Sequence, residues 1–498
     1  MSDEVRQDSP DLPMPAPDPV RMPRPLPELT PEAGPWRELG EVLWLSLPII
    51  VSMLSYTLMS AADALMLSRH SKAELAGATA AGPFFFTFST LMMGTLSITN
   101  TFVSQSVGRG RKRAGPSYVW QALCLGGMWS GVVFCFIPLV PFVFRAVGHE
   151  PHVQVHEVTY ARIILLRMPS VAVYCSVAAF YQAIKRPVIP MMTALISNAV
   201  NIAGNYVLIY GKLGFPEMGI QGAAIATVLG SYLDAGLLLA VFLGRKANAE
   251  YGTRSAWRVN PARMWQLLRA GVPSGLTWFL ENVSWVIFLW IIIGRKFGED
   301  AIAANGAAIQ ILHLSFMPVV GLNIGIQAIV GQHIGMKDYA GAKRRAYRAI
   351  AAALCYMVTL GIVFFVFRRW LIERFVDPDA PAATAQRFIE MGSTMLIYGA
   401  IFQAFDATVI VCYGALKGAG DTFFCMWMTV ICSWCVFVPT SWMLTRWTDM
   451  GVGGAWLGLT LYIALLAVVN LWRFASEAWR KIDIFRGEPG EGPSDSKP

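Results

Sequence analysis

Apolar residues run along this chain in long blocks broken by short polar stretches. A hydrophobic window of about 19 residues, the length that crosses a bilayer as a helix, selects twelve candidate spans. They lie near residues 40–67, 78–107, 119–144, 158–183, 188–211, 217–244, 265–294, 301–334, 347–367, 388–414, 422–445 and 450–474. Several exceed the minimum length, which predicts tilt or kinks. Pro48, Pro273 and Pro318 fall inside helical patterns and are expected to bend them. The pattern predicts an all-α, multi-pass membrane protein.

Composition agrees. Of 498 residues, 55% are hydrophobic and only 14% charged, against about 25% charged in soluble proteins. The net charge of +8 is spread between apolar runs rather than gathered in a patch, which excludes nucleic acid as a partner. Lipid is the expected surrounding. Residues 1–37, rich in Pro, Asp and Glu, read as a disordered tail, and 475–498 as a second one. Basic residues collect after the second, sixth and eighth spans: Arg109, Arg111, Lys112 and Arg113; Arg245, Lys246, Arg254, Arg258 and Arg263; Lys337, Lys343, Arg344 and Arg345. The positive-inside rule then puts both termini in the cytoplasm and the chain in the plasma (inner) membrane. Cysteines lie in apolar segments, and the Cys432–Cys435 pair has no acid or histidine neighbour, so neither redox nor zinc chemistry is expected.

The chain also resembles itself at a shift of about 230 residues. ELAGATAA (74–81) aligns with AIAANGAA (301–308), and SQSVGRGRKRAG (104–115) with GQHIGMKDYAGA (331–342), matching Gln105 to Gln332 and Gly108 to Gly335. YQAIK (181–185) aligns with YGALK (413–417), and MGIQGAA (218–224) with MGVGGAW (450–456). Each half holds an even number of spans, so both enter the membrane in the same direction, as in transporters with parallel repeats. The expected organisation is a first lobe at 38–244, a basic linker at 245–263 and a second lobe at 264–474.

Four carboxylates sit inside spans: Asp63, Asp234, Glu281 and Asp406. Each costs roughly 2.5–3.5 kcal/mol at the bilayer centre, so they are expected to face a cavity, a partner or each other. The reading finds no basic residue deep in the spans to pair with them; Arg162 and Arg167 lie near one end of the fourth. Such acids can take up protons, hold sodium if other oxygens join, or attract organic cations. Asn201, Asn205 and Thr227 could supply those oxygens, and Asn198, Asn201 and Asn205 share one helical face. Phe84, Phe85, Phe86, Trp278 and Trp285 could stack on a planar cation or simply fill core. Asp234 reads as the most structural of the acids, and Gln105 and Gln332 as structural helix-end residues.

These residues carry a resemblance. LSLPIIVSMLSYTLMSAADALMLSRHS, NIAGNYVLIYG followed by MGIQGAAIAT, GVPSGLTWFLE, and FDATVIVCYGALKGAGDT resemble, in order, the first, fifth and sixth, seventh and tenth spans of multidrug and toxic compound extrusion (MATE) transporters of the NorM-like branch, over roughly residues 38–475. The resemblance implies secondary active efflux of small organic cations in exchange for Na+ or H+, with no cofactor and no enzymatic reaction, by a monomer. It implies a first-lobe cation site at Asp63, Asn201, Asn205 and Thr227, and a second-lobe pair, Glu281 and Asp406, suited to sodium. Asn205 stands where some members have an aspartate. A lipid-linked precursor flippase of the same superfamily is the rival reading, and a membrane-embedded transferase the rival of another class. The mostly acidic interior favours a cationic cargo over pyrophosphate, and short loops without a catalytic constellation disfavour an enzyme.

Overall fold

The computed structural model describes residues 34–147, 151–376 and 381–486. Most of the expected N-terminal tail, and the last twelve residues, lie outside them. Among the described residues every regular element is helical, and the hydrophobic runs become membrane-crossing helices. They are α1 (Trp36–His70), α2 (Ala73–Gly108), α3 (Gly115–Ala146), α4 (Val153–Leu165 and Met168–Ala183), α5 (Val188–Ile209), α6 (Gly219–Phe242), α7 (Pro261–Phe297), α8 (Glu299–Gly335), α9 (Tyr339–Val366), α10 (Ala382–Ala419), α11 (Thr422–Trp447) and α12 (Val452–Ala475). The chain is a multi-pass membrane protein.

Pro48, Pro273 and Pro318 lie inside α1, α7 and α8, as the pattern suggests. The sequence reading missed the sharpest break, a 44° bend in α4. It falls at Leu166–Arg167, just before Pro169, where the missing N–H and the restricted preceding residue interrupt the ladder. It also missed π-helical segments at Phe288–Gly294 in α7 and Cys432–Phe437 in α11. These meet through Phe288 and Phe437, whose rings lie 5.1 Å apart. The aligned glycines of MGIQ and MGVG, Gly219 and Gly451, both take positive φ (52° and 58°), a region that favours glycine, Gly219 as the first residue of α6 and Gly451 immediately before α12.

α1 packs on α5, α5 on α6 and α2 on α4; in the second half α10 packs on α8, α9 and α12. The halves meet where α1 crosses α8 and where α2 crosses α7 and α8. Small residues set these crossings. A Cβ on Gly94 would lie 2.6 Å from the Gly275 Cα, and one on Gly321 would lie 2.6 Å from Ile50. Farther along, Gly108 and Gly335 face each other, Gln105 donates to the Gly418 carbonyl at 2.9 Å, and Gln332 donates to the Ala183 carbonyl at 2.6 Å. The repeat-matched glutamines thus reach reciprocally across the lobe boundary, each to the other half's copy of the YxAxK region. All these contacts lie in the part of the helices nearest the chain termini.

Charged groups close the same end. Glu38 (1% exposed) and Glu41, in the first turns of α1, meet Arg344, Arg345 (1% exposed) and Arg348 of α9, and Glu41 also meets Lys185 of the α4–α5 turn. Residues 476–486 are not the loose tail expected from their composition. Trp479 stacks on Phe474 in the second-half core, and Phe485 is buried against Phe102 and Tyr118 of the first. Lys343 donates to Glu477 at 2.8 Å, Arg109 pairs with Asp483 at 3.1 Å, and Gln266 donates to the Phe485 carbonyl at 3.4 Å. The segment is a strap across both lobes. Its aromatic anchors were legible in the sequence, but the polar, glycine-rich residues after them masked the signal.

Candidate functional site

The four intramembrane acids separate into two places. In the second lobe, α7, α8, α10 and α12 enclose a cavity of about 280 Å³. Glu281 of α7 and Asp406 of α10 both line it, with Trp278, Trp285 and the first-lobe Phe86 as aromatic walls. The geometry follows from helix periodicity. Gln403, Asp406, Ile410, Tyr413 and Lys417 recur at i, i+3, i+7, i+10 and i+14, a single face of α10 turned into the cavity. Gly414 and Gly418 on the adjoining face let α10 come close to α8; a Cβ on Gly418 would sit 2.5 Å from the Gln327 carbonyl oxygen.

The polar groups of this cavity are under-satisfied. Glu281 accepts only a long bond, from the Tyr462 hydroxyl at 3.4 Å. Asp406 Oδ2 and both amide atoms of Gln403 are buried without a hydrogen-bond partner. Buried polar atoms left unpaired are costly, so this wall offers hydrogen-bonding groups to whatever fills the cavity, water included. Glu281, Asp406 and Gln403 line the cavity together, so their oxygens are the ones it can offer to a cation.

Lys417 corrects the sequence reading. It is a basic residue deep in the fold, 5% exposed, and it lines the same cavity as both acids. Its ammonium lies 5.7 Å from the Trp278 ring centre and 5.9 Å from that of Tyr413. Its position at the end of an apolar run made it read as a loop residue. Its repeat partner, Lys185, is instead spent on Glu41. Gln403 was missed as well, although its three-residue spacing from Asp406 was visible. Of the aromatics, Phe84 and Phe85 pack into the first-lobe core and away from this cavity.

The first lobe holds the second place. Asp63 of α1 accepts a hydrogen bond from the Asn205 amide of α5. That amide also donates to Asn201 Oδ1 at 3.2 Å, and Asn201 Nδ2 donates to Thr227 Oγ1 of α6 at 3.4 Å. Asp63, Asn201, Asn205 and Thr227 are therefore one hydrogen-bonded cluster. Gly230 makes room for it: a Cβ there would lie 3.0 Å from the Asn201 Cβ. Asn205 Oδ1 is buried and unpaired. Asp234 is not part of this cluster; the Tyr56 hydroxyl donates to its Oδ2 at 2.6 Å.

A sequence profile of the MatE family matches residues 48–207 and 273–443, one segment in each half. A probable multidrug resistance protein NorM of Thermotoga maritima is 26% identical over 452 residues, covering 90% of this chain and 94% of that protein. The protein of the same description from Mesorhizobium japonicum is 28% identical over 455 residues, covering 88% and 94%. Among solved structures, a crystal structure of MATE in complex with MaL6 superposes with a TM-score of 0.81 at 20% identity, covering 89% of this chain and 98% of that one.

Proposed function

The chain belongs to the MatE family of multidrug efflux transporters, which are not enzymes, and from that premise we propose that it exports organic cations by antiport against Na+ or H+ across the plasma (inner) membrane. Both termini then face the cytoplasm, residues 38–244 and 264–474 act as the two moving lobes around the 245–263 linker, and the protein works as a monomer.

The observation that carries this reading is the pairing of Glu281 and Asp406 in one aromatic-walled cavity with unsatisfied oxygens. With the lobes open to the cytoplasm, a lipophilic cation enters and meets the two carboxylates and the faces of Trp278 and Trp285. The lobes rock to the arrangement described here, closed at the terminal end. External sodium at Glu281, Asp406 and Gln403, or protons on the same acids, removes the counter-charge and the cargo leaves. Occupation of Asp63, Asn201, Asn205 and Thr227 by the coupling ion favours the same state. The ion drives transport only through its unequal affinity for the two states.

The test uses proteoliposomes loaded with a fluorescent cation such as ethidium. Efflux driven by a sodium gradient, then by a proton gradient, identifies the ion; efflux that responds to neither refutes antiport. Transport of an anionic lipid pyrophosphate instead would favour the flippase reading, which Lys417 alone among the cavity's charges supports.

A further inference from the structure

Asp234 is 3% exposed and lies in the middle of α6, and the mechanism above leaves it unused. It belongs to a second polar tier. Thr227 and Asp234, Asn205 and Asn198, and Asp63 and Tyr56 are each seven residues apart, so each pair shares one face of its helix. The lower tier therefore lies about 10 Å along α1, α5 and α6 from the Asp63 cluster, toward the terminal end. Within it, Tyr56 donates to Asp234 Oδ2 at 2.6 Å and Asn198 donates to the Ser55 hydroxyl at 2.5 Å. Asp234 Oδ1 is buried without a partner. Tyr174 of α4 sets its ring edge-on to Tyr56, with centres 6.0 Å apart, and Thr193 of α5 lies beside the carboxyl.

The charged and titratable groups facing Asp234 are Tyr56 from α1, Tyr174 from α4 and, more distantly, Arg167 at the α4 bend. Arg167 makes no ion pair with it; the guanidinium lies 5.7 Å from the Phe85 ring centre. The Tyr56 bond and the neighbouring Thr193 hydroxyl do not compensate a carboxylate buried at membrane depth while Oδ1 stays unpaired. Tyr56 already holds Oδ2, which leaves one unpaired oxygen on the carboxyl. A proton needs only the free Oδ1.

We propose that Asp234 is a second, proton-binding station of the first lobe, distinct from the Asp63 cluster and filled by H+ whichever ion occupies the second-lobe cavity. Proton uptake converts the carboxylate to a neutral carboxyl with its hydrogen on Oδ1. Release returns the charge and strengthens the bond from Tyr56, which ties α1 to α6. Cation export is then linked to pH even when sodium drives it.

Infrared spectroscopy of the purified protein reads this directly and needs no transport. Asp234→Asn is expected to remove one protonated-carboxyl band present in the wild type at neutral pH. Tyr56→Phe, which keeps the acid and deletes its donor, is expected to move that band to higher frequency; it serves if the Asn variant does not fold. A carboxyl region unchanged by both substitutions overturns the proposal. In ethidium-loaded proteoliposomes with a pH-sensitive dye, Asp234→Asn is also expected to lower the protons moved per cation by about one, and an unchanged count overturns it. Failure of wild-type efflux under either gradient would count against antiport and leave the infrared result standing.

Discussion

Asp406 has the cavity's most consequential carboxyl, because one of its oxygens has no partner within the protein. Asp406→Asn keeps the shape and removes the charge. Ethidium efflux is expected to lose its dependence on either gradient while the protein still folds; gradient-driven efflux at the wild-type rate would refute the assignment. Asp63→Asn is expected to slow ion-triggered release, measured as dye leaving preloaded protein when sodium or acid is added. Lys417 acts with the opposite sign. Its ammonium shares a cavity with Glu281, so cargo must compete with a resident positive charge. Lys417→Met is expected to tighten ethidium binding roughly tenfold, the ratio that about 1.4 kcal/mol produces, in a fluorescence titration; weaker binding would refute this. The acids could be found in the sequence because a carboxylate stands out in an apolar run. Gln403 and Lys417 were hidden, because their meaning depends on which face of α10 is buried, and hydropathy averages over faces.

Helix crossings set the scale of the next predictions. Gly275 of α7 lies against Leu91 and Thr95 of α2, and a Cβ there would meet the Thr95 hydroxyl at 2.5 Å. Gly275→Leu is expected to wedge the lobes apart at the terminal end, abolish efflux and expose cysteines introduced at that crossing to a thiol reagent. Unaltered labelling would show that the crossing yields. The strap makes a pH prediction. The hydrogen bond from Lys343 holds the Glu477 carboxyl below its ordinary value of about 4.3. A carboxyl depressed in the folded state stabilises above that value and loses its contribution as pH falls through the lowered one. The strap is therefore expected to lose a small part of its hold below about pH 4, and Glu477→Gln to show that loosening already at neutral pH, read as modestly faster cleavage by a neutral protease. The spans were readable from hydropathy alone. The α4 bend and the π segments were not, because a window score carries no backbone angle, although Pro169 marked the bend.

For the whole molecule, the internal repeat has a structural counterpart in the reciprocal bonds of Gln105 and Gln332 and the facing of Gly108 with Gly335. Sequence comparison revealed the duplication but not that its repeated motifs hold the halves together. The same end carries the Glu38–Glu41–Arg345 network, whose Arg345 is buried. Arg345 is the guanidinium that touches both Glu38 and Glu41, so removing it uncouples the two acids and leaves each with fewer partners. Arg345→Ala is expected to lower the melting temperature and favour the form open at the terminal end; an unchanged melt and efflux rate would refute a closing role.

The strap also bears on how the protein is handled at the bench. Its last anchored aromatic among the described residues is Phe485, so a fluorescent reporter joined at residue 475 would remove a stretch that grips both halves, whereas one joined after residue 486 would spare it. Comparing the two fusions would separate the label's bulk from the loss of a natural clasp.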